Sequence, residues 1–122
     1  MSSAYDLVVE DGFIRVIYRG PQDFETTNNS IADAARLAKQ AGVTSVLFDF
    51  TFADPKGYFA ETVRHAERAS ALGMPLEFRI AFYSPSQFDA VDFMETVARN
   101  RGYTARAFSR EEDAVKWLTG PA

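Results

Sequence analysis

The stretch Val43-Thr44-Ser45-Val46-Leu47-Phe48-Asp49-Phe50-Thr51-Phe52 decides how this chain is read. Val46, Leu47 and Phe48 are consecutive apolar residues, so a strand here is covered on both faces. Such a strand belongs at the centre of a sheet with helices packed on it. The apolar run stops at Asp49, which predicts a charge where the strand emerges from the core.

Upstream, Tyr5, Leu7 and Val9 alternate with Asp6 and Glu10, and Phe13 to Tyr18 form a second β-rich run. Asp11-Gly12 between them predicts a hairpin, read as a type I′ turn with positive φ at both central residues. Gly20-Pro21 breaks the second run. A helix follows, and Asp23, Thr26 or Ser30 could each cap it. Ile31, Ala34, Ala35 and Ala38 form its apolar stripe, with Leu37 on the flank. Gly42 stops it. Asn28-Asn29-Ser30 matches a glycosylation sequon, which has no use in a cytoplasmic chain.

Downstream, Asp54-Pro55 reads as the cap and first residue of a second helix. Its inward face is predicted at Phe59, Val63, Ala66 and Ala69 or Ser70. Gly73 ends it and Pro75 prevents its return. Phe78, Ile80 and Phe82 alternate with Arg79, Ala81 and Tyr83 as the next strand. Ser84-Pro85-Ser86-Gln87 predicts a helix start with Ser84 as cap, Pro85 at the first turn and Gln87 closing the box. Ala90, Val91, Met94, Val97 and Ala98 are its buried stripe. Tyr103 to Phe108 is a short strand, and Arg106 suggests that it lies at a sheet edge. Ser109-Arg110-Glu111-Glu112 reads as a capping box for a last helix anchored by Ala114, Trp117 and Leu118. The order predicts one α/β domain over residues 1–122. Its mixed β-sheet has an N-terminal antiparallel hairpin and parallel central strands, with right-handed crossovers and helices packed on it.

Composition narrows the function. The 122 residues are 47% hydrophobic and include eleven Phe, which argues for a packed core rather than disorder. The formal net charge is -4 and no basic patch stands out, which disfavours nucleic acid and anionic membranes. There is no cysteine, hence no disulfide, thiolate nucleophile or cysteine metal site. No secretory signal is visible in Met1 to Asp6, and no apolar run approaches the roughly 20 residues that span a bilayer. The expected location is the cytoplasm.

Several of these motifs, taken in order, resemble the SpoIIAA-like group of bacterial proteins, related to STAS domains and also described as STAS/Sec14-like. The likeness covers nearly the whole chain. It rests on the hairpin with Asp11-Gly12, on Val46-Leu47-Phe48-Asp49 after a glycine-ended helix, and on Arg79-Ile80-Ala81-Phe82. Arg106-Ala107-Phe108, Glu111-Glu112-Asp113-Ala114 and Trp117-Leu118 complete it. The resemblance implies a mixed sheet covered by helices. It also implies protein regulation or ligand binding rather than catalysis. Sporulation-type members carry an Asp-Ser-Ser-Gly-like loop at a phosphorylated serine. Here that loop reads Ala53-Asp54-Pro55-Lys56-Gly57, and the serine is absent.

In open α/β sheets, ligands sit beyond the carboxyl ends of the parallel strands. That edge collects Asp49, Thr51, Asp54, Lys56, Tyr58, Tyr83, Ser84 and Ser86, with Phe52, Phe59 and Phe88 close in sequence. These residues form a candidate partner or ligand edge. The competing expectation makes Asp54 and Ser84 helix caps and the aromatics core. Asp49 as a phospho-acceptor lacks the acidic partners that would hold a metal. His65, the only histidine, is expected on a solvated helix face, since no nucleophile motif accompanies it. No catalytic residue, metal site or cofactor is assigned. The expected function is a non-enzymatic regulatory or protein-interaction module, with a homodimer as its expected assembly. The alternative is a small-ligand or lipid-binding protein with an aromatic-lined cavity.

Overall fold

The computed structural model describes residues 4–20, 23–55 and 59–121. The elements run β1 (Tyr5–Glu10), β2 (Phe13–Arg19), α1 (Phe24–Ala41), β3 (Ser45–Phe52), α2 (Phe59–Ala69), β4 (Arg79–Tyr83), α3 (Phe88–Asn100), β5 (Thr104–Phe108) and α4 (Glu111–Thr119). The five strands lie in sequence order across one sheet. β1 pairs antiparallel with β2, and the remaining pairs are parallel. This is the mixed α/β sheet that the sequence predicts.

Because each crossover steps one strand in the same direction, right-handed connections put their helices on one side. α1, α2 and α3 therefore cover one face of the sheet. α4 follows the last strand and packs on the other face, against β3, β4 and β5. Strand alternation sorts the core accordingly. Ile14, Val16, Tyr18, Val46, Phe48, Phe50 and Ile80 belong to the larger cluster under α1–α3. Phe13, Leu47, Ala81, Tyr83 and Phe108 join Ala114 and Leu118 of α4 in a smaller one. Val46 and Leu47 are both 0% exposed, as expected for a strand covered on both sides.

Several local expectations are corrected. Gly12 has φ 93°, but among the described residues none other than glycine has positive φ. The hairpin is therefore not type I′. Negative φ at Asp11 followed by positive φ at Gly12 has the sign pattern of a type II turn, which spares a side-chain-bearing residue the left-handed region. Asp49 does not mark the end of β3. The strand continues to Phe52, and Asp49 is only 5% exposed.

Of the three possible caps for α1, Asp23 is the one used. Its carboxylate accepts the Thr26 N–H at 2.7 Å, whereas Ser30 lies inside the helix and is buried. Gly42, with φ 73°, closes α1 by returning its N–H to the carbonyls of Ala38 and Lys39. Pro55 lies in a short 3₁₀ turn and does not open α2, which is described from Phe59 onward. The inward face of α2 is also rotated from the expected one. Val63 is 41% exposed, while Thr62, His65 and Ala69 are buried. The expected burial of the Phe59 side chain lies outside the described residues.

α3 starts at Phe88, three residues after Pro85. Ser84 Oγ does accept the Gln87 N–H at 3.0 Å, but it closes a turn that precedes the helix. The capping box before α4 does not form. Glu112, which would reach back to Ser109, pairs with Arg110 instead, and α4 has no side-chain cap.

Candidate functional site

The carboxyl edge of the parallel strands is largely occupied by its own internal bonds. Between Ile17 and Arg19 of β2 the register with β3 shifts, leaving an extra residue in β3 near Thr51. The Thr51 N–H turns to Asp49 Oδ1 at 2.9 Å, and its hydroxyl donates to the same oxygen at 2.6 Å. The second Asp49 oxygen accepts from Arg15 Nη1 at 2.9 Å. Asp49 thus has both oxygens engaged. Tyr83 and Ser84 are buried, and the Ser84 backbone N–H donates to the Phe108 carbonyl. Asp54 and Ser86 are exposed. Lys56 and Tyr58 lie outside the described residues. Among the apolar members of the edge, Phe52 is 61% exposed and Phe88 is 42% exposed. The Arg19 guanidinium lies 5.5 Å from the Phe52 ring centroid and covers part of it.

Arg15 joins this edge to the α4 face. Its Nε donates to Glu10 at 2.8 Å, Nη1 to Asp49, and Nη2 meets Glu111 of α4 at 2.8 Å. Burial alone would lower its pKa. The hydrogen bonds to Glu10 and Asp49 and the charges of Glu111 and Asp49 overcome burial, so the guanidinium is held above its usual range. At the other end of α4, Arg79 donates to the carbonyls of Trp117 at 2.6 Å and Gly120 at 2.9 Å. These carbonyls lie at the helix C-terminus, where cations are favoured. Two sheet arginines therefore pin both ends of α4.

The opposite face holds a cavity of about 80 Å³ between the sheet and α1–α3. The sheet contributes Tyr18, Phe48, Phe50, Ile80 and Phe82. Thr27 and Ile31 come from α1, Thr62, His65, Ala66 and Ala69 from α2, and Met94 and Ala98 from α3. Met74 and Tyr103 complete the wall. Tyr18 stacks on Phe48 and Phe50 at centroid distances of 6.3 and 5.1 Å. Its hydroxyl meets Ser30 Oγ at 2.6 Å, and Ser30 donates in turn to the Thr27 carbonyl. This arrangement orients the ring while keeping its oxygen satisfied.

His65 is the polar feature of this wall. It is buried rather than solvated, contrary to the expectation from sequence. Its Nδ1 meets Asn28 Oδ1 at 2.8 Å, and its ring stacks on Phe24 at 4.7 Å. The Arg64 guanidinium lies over the other partner, 4.0 Å from the Phe24 centroid. Burial pushes the imidazole pKa down to about 4, with the Glu61 charge opposing and that of Arg64 adding to the shift. The ring is therefore neutral near pH 7. With Asn28 Oδ1 as the acceptor, the proton sits on Nδ1 and Nε2 carries the lone pair.

Sequence reasoning missed both His65 and Asn28. A signal was present: Thr62, His65, Ala66 and Ala69 recur at i, i+3, i+4 and i+7, one continuous helix face. The expected face shares Ala66 and Ala69 with it but takes Val63 in place of the polar Thr62 and His65. Asn28 and Ser30 are both buried, so the sequon is not a surface acceptor. Among the described residues, no group of three or more His, Cys, Asp or Glu could hold a metal ion. Among the same residues, no helix is long and apolar enough to cross a membrane.

No protein-family model matches the chain, and no curated protein matches it. A solved structure does: the anti-sigma factor antagonist SpoIIAA in its unphosphorylated form. It aligns with a TM-score of 0.55 at 18% identity, over 98% of this chain and 99% of that one. The protein thus has the SpoIIAA/STAS-like α/β fold. At this identity the likeness is one of fold.

Proposed function

We propose that the chain is a non-enzymatic regulatory module of the SpoIIAA-like type, acting in the cytoplasm as a single domain over residues 1–122. It recognises a protein partner through the carboxyl edge of its sheet. The observation that carries this reading is the division of labour at that edge. Asp49, Thr51 and Ser84 spend their polar atoms on internal bonds, while Phe52 and Phe88 stay exposed. Exposed aromatic residues beside satisfied polar ones suit protein contact better than acid–base chemistry. Asp54, Lys56, Tyr58, Tyr83 and Ser86 belong to the same proposed edge. The fold match to an anti-sigma factor antagonist supports a regulatory role.

The module does not cycle by serine phosphorylation in the loop after β3. Ala53-Asp54-Pro55-Lys56-Gly57 contains no hydroxyl, and the Thr51 hydroxyl is bonded to Asp49. Intact-mass analysis of protein from its native cells is expected to show no phosphate adduct. A stoichiometric adduct mapped to Thr51, Ser84 or Ser86 overturns this part of the reading. For the contact edge, the partner cross-linked to the wild-type protein is expected to be lost in a Phe52→Ser/Phe88→Ser variant that still folds. Retention of the same partner moves the contact elsewhere. Self-association as a weak homodimer belongs to the same proposal, and sedimentation showing only monomer at high micromolar concentration removes it.

A second reading is favoured by one observation, the cavity on the helix face. In this reading the protein binds a small ligand among Tyr18, Phe48, Phe50 and Phe82, and occupancy rather than phosphate sets its state. Retention of a guest in native mass spectrometry is its test; a guest-free protein under every growth condition would count against it.

A further inference from the structure

We infer that the cavity on the helix face excludes water and takes a small apolar molecule of about three heavy atoms or fewer, of the class of a dissolved gas or a two-carbon hydrocarbon. This rests on the ligand-cavity reading above and adds the chemical class of the guest.

Polarity comes first. Almost all of the surface that the wall turns to the cavity is apolar. Polar residues in the wall make their hydrogen bonds elsewhere. The Tyr18 hydroxyl meets Ser30, His65 Nδ1 meets Asn28, and the Tyr103 hydroxyl reaches the Met74 carbonyl at 3.4 Å. A buried water needs about two to four polar partners, and an apolar cavity stays free of it. Water therefore does not compete for the space.

Charge comes second. Among the described residues, no Lys, Arg, Asp or Glu lines the cavity. Burial keeps the His65 imidazole neutral at ordinary pH. An ionic guest would lose its hydration and find no counter-charge. A hydroxyl-bearing guest would bury a donor that the wall does not meet.

Size comes third. A cavity of about 150 Å³ holds benzene, a ring of six carbons. The space here is about 80 Å³, little more than half of that, which leaves room for about three heavy atoms. A diatomic or an ethane-sized molecule fits, whereas an aromatic ring or a lipid chain does not. The floor is a row of stacked rings, Phe48 lying 6.3 Å from Tyr18 and 5.6 Å from Phe82. Stacked rings resist collapse into the void, so the wall lacks contacts that an apolar guest restores. Met74 and Met94 can shift to close around it, because thioether side chains adapt readily.

Ethane, methanol and benzene separate these contributions. Ethane and methanol have two heavy atoms each and differ by a methyl in place of a hydroxyl. Benzene is as apolar as ethane and too large. Titration of the full-length protein, followed by the chemical shifts of Ile80, Met94 and Ala98, is expected to show ethane binding at least about tenfold more tightly than methanol. Benzene is expected not to bind there. Ala69→Leu, which fills the cavity, is expected to abolish the ethane response. Methanol binding as tightly as ethane overturns the apolar class and leaves the cavity reading in place. Benzene binding as tightly as ethane overturns the size class and likewise leaves that reading. Failure of all three probes, or ethane binding that survives Ala69→Leu, removes the cavity reading and this inference with it. The wild-type comparison stands even if Ala69→Leu does not fold.

Discussion

The two faces of the sheet solve the problem of burial in different ways. Under α1–α3 the sheet presents Val16, Tyr18, Val46, Phe48, Phe50 and Ile80, a broad apolar layer that three helices cover and do not entirely fill. Under α4 the apolar contribution is small, and a nine-residue helix is held by Phe13, Leu47, Phe108 and Leu118. Charge makes up the difference there: Arg15 grips Glu111, and Arg79 grips the C-terminal carbonyls. The broad face gains enough from burial to tolerate a void. The narrow face depends on polar bonds because one short helix cannot cover five strands.

Charge insertion is the strongest way to break this contrast. Val46→Asp places a carboxylate among apolar side chains and is expected to abolish cooperative unfolding, since an unpaired buried charge costs several kcal/mol. Leu47→Asp buries its charge equally deeply, but Leu47 pairs in register with Arg15. It is also expected to destabilise severely, yet less than Val46→Asp. Thermal denaturation of the two variants decides; equal losses would mean that Arg15 does not distinguish the faces.

Arg15 itself supplies the next effect. Arg15→Met leaves Asp49 buried without its cation and is expected to cost about 3 kcal/mol in denaturant unfolding. The double variant Arg15→Met/Asp49→Leu removes both charges and is expected to recover most of that loss. If the double variant is as unstable as the single one, the remaining bonds to Glu10 and Glu111 matter more than the buried pair.

Trp117 tests α4 more gently. It is partly buried, packs on Phe108 at 5.8 Å and lies 5.9 Å from the Arg79 guanidinium. A fully buried tryptophan costs about 3–5 kcal/mol on truncation to alanine. The partial burial here reduces the expected loss for Trp117→Ala to about 2 kcal/mol. A native fluorescence maximum like that of hydrated indole would contradict its docking.

The last expected effect is a pH slope from the broad face. The His65 pKa lies at about 4 in the folded protein and near 6.5 in an unfolded chain. Between these values the unfolded state binds more protons. The stabilising contribution of neutral His65 is therefore complete above about pH 6.5 and is lost as pH falls toward 4. His65→Phe is expected to flatten stability over that window. An unchanged slope would place the titration elsewhere.

Much of this architecture is visible in residue order. The apolar run Val46-Leu47-Phe48 predicts a strand covered on both sides, and both faces are covered. Asp11-Gly12, Gly42 and Gly73 mark their turns, and Arg106 marks the β5 edge, which is indeed the last strand of the sheet. Helix phase and helix starts are less visible. The α2 stripe through Val63 and the caps at Ser84 and Ser109 fit local pattern rules, but other bonds prevailed. A tertiary bond turned α2 to bring His65 to Asn28, while competing local bonds drew Glu112 to Arg110 and Ser84 into a turn.

The sequence by itself determined the alternation of strands and helices, because side-chain periodicity and chain-breaking residues act over a few neighbours. Only the tertiary structure decided the fate of the polar residues. Asp49, read as a charge at a strand exit, became a buried partner of Arg15 thirty-four positions away. His65, read as solvated, was turned inward to Asn28, thirty-seven positions away. The sign of a polar residue's burial depends on whether a distant group can meet its hydrogen bonds. That distant partner exists only once β2 lies beside β3 and α1 beside α2.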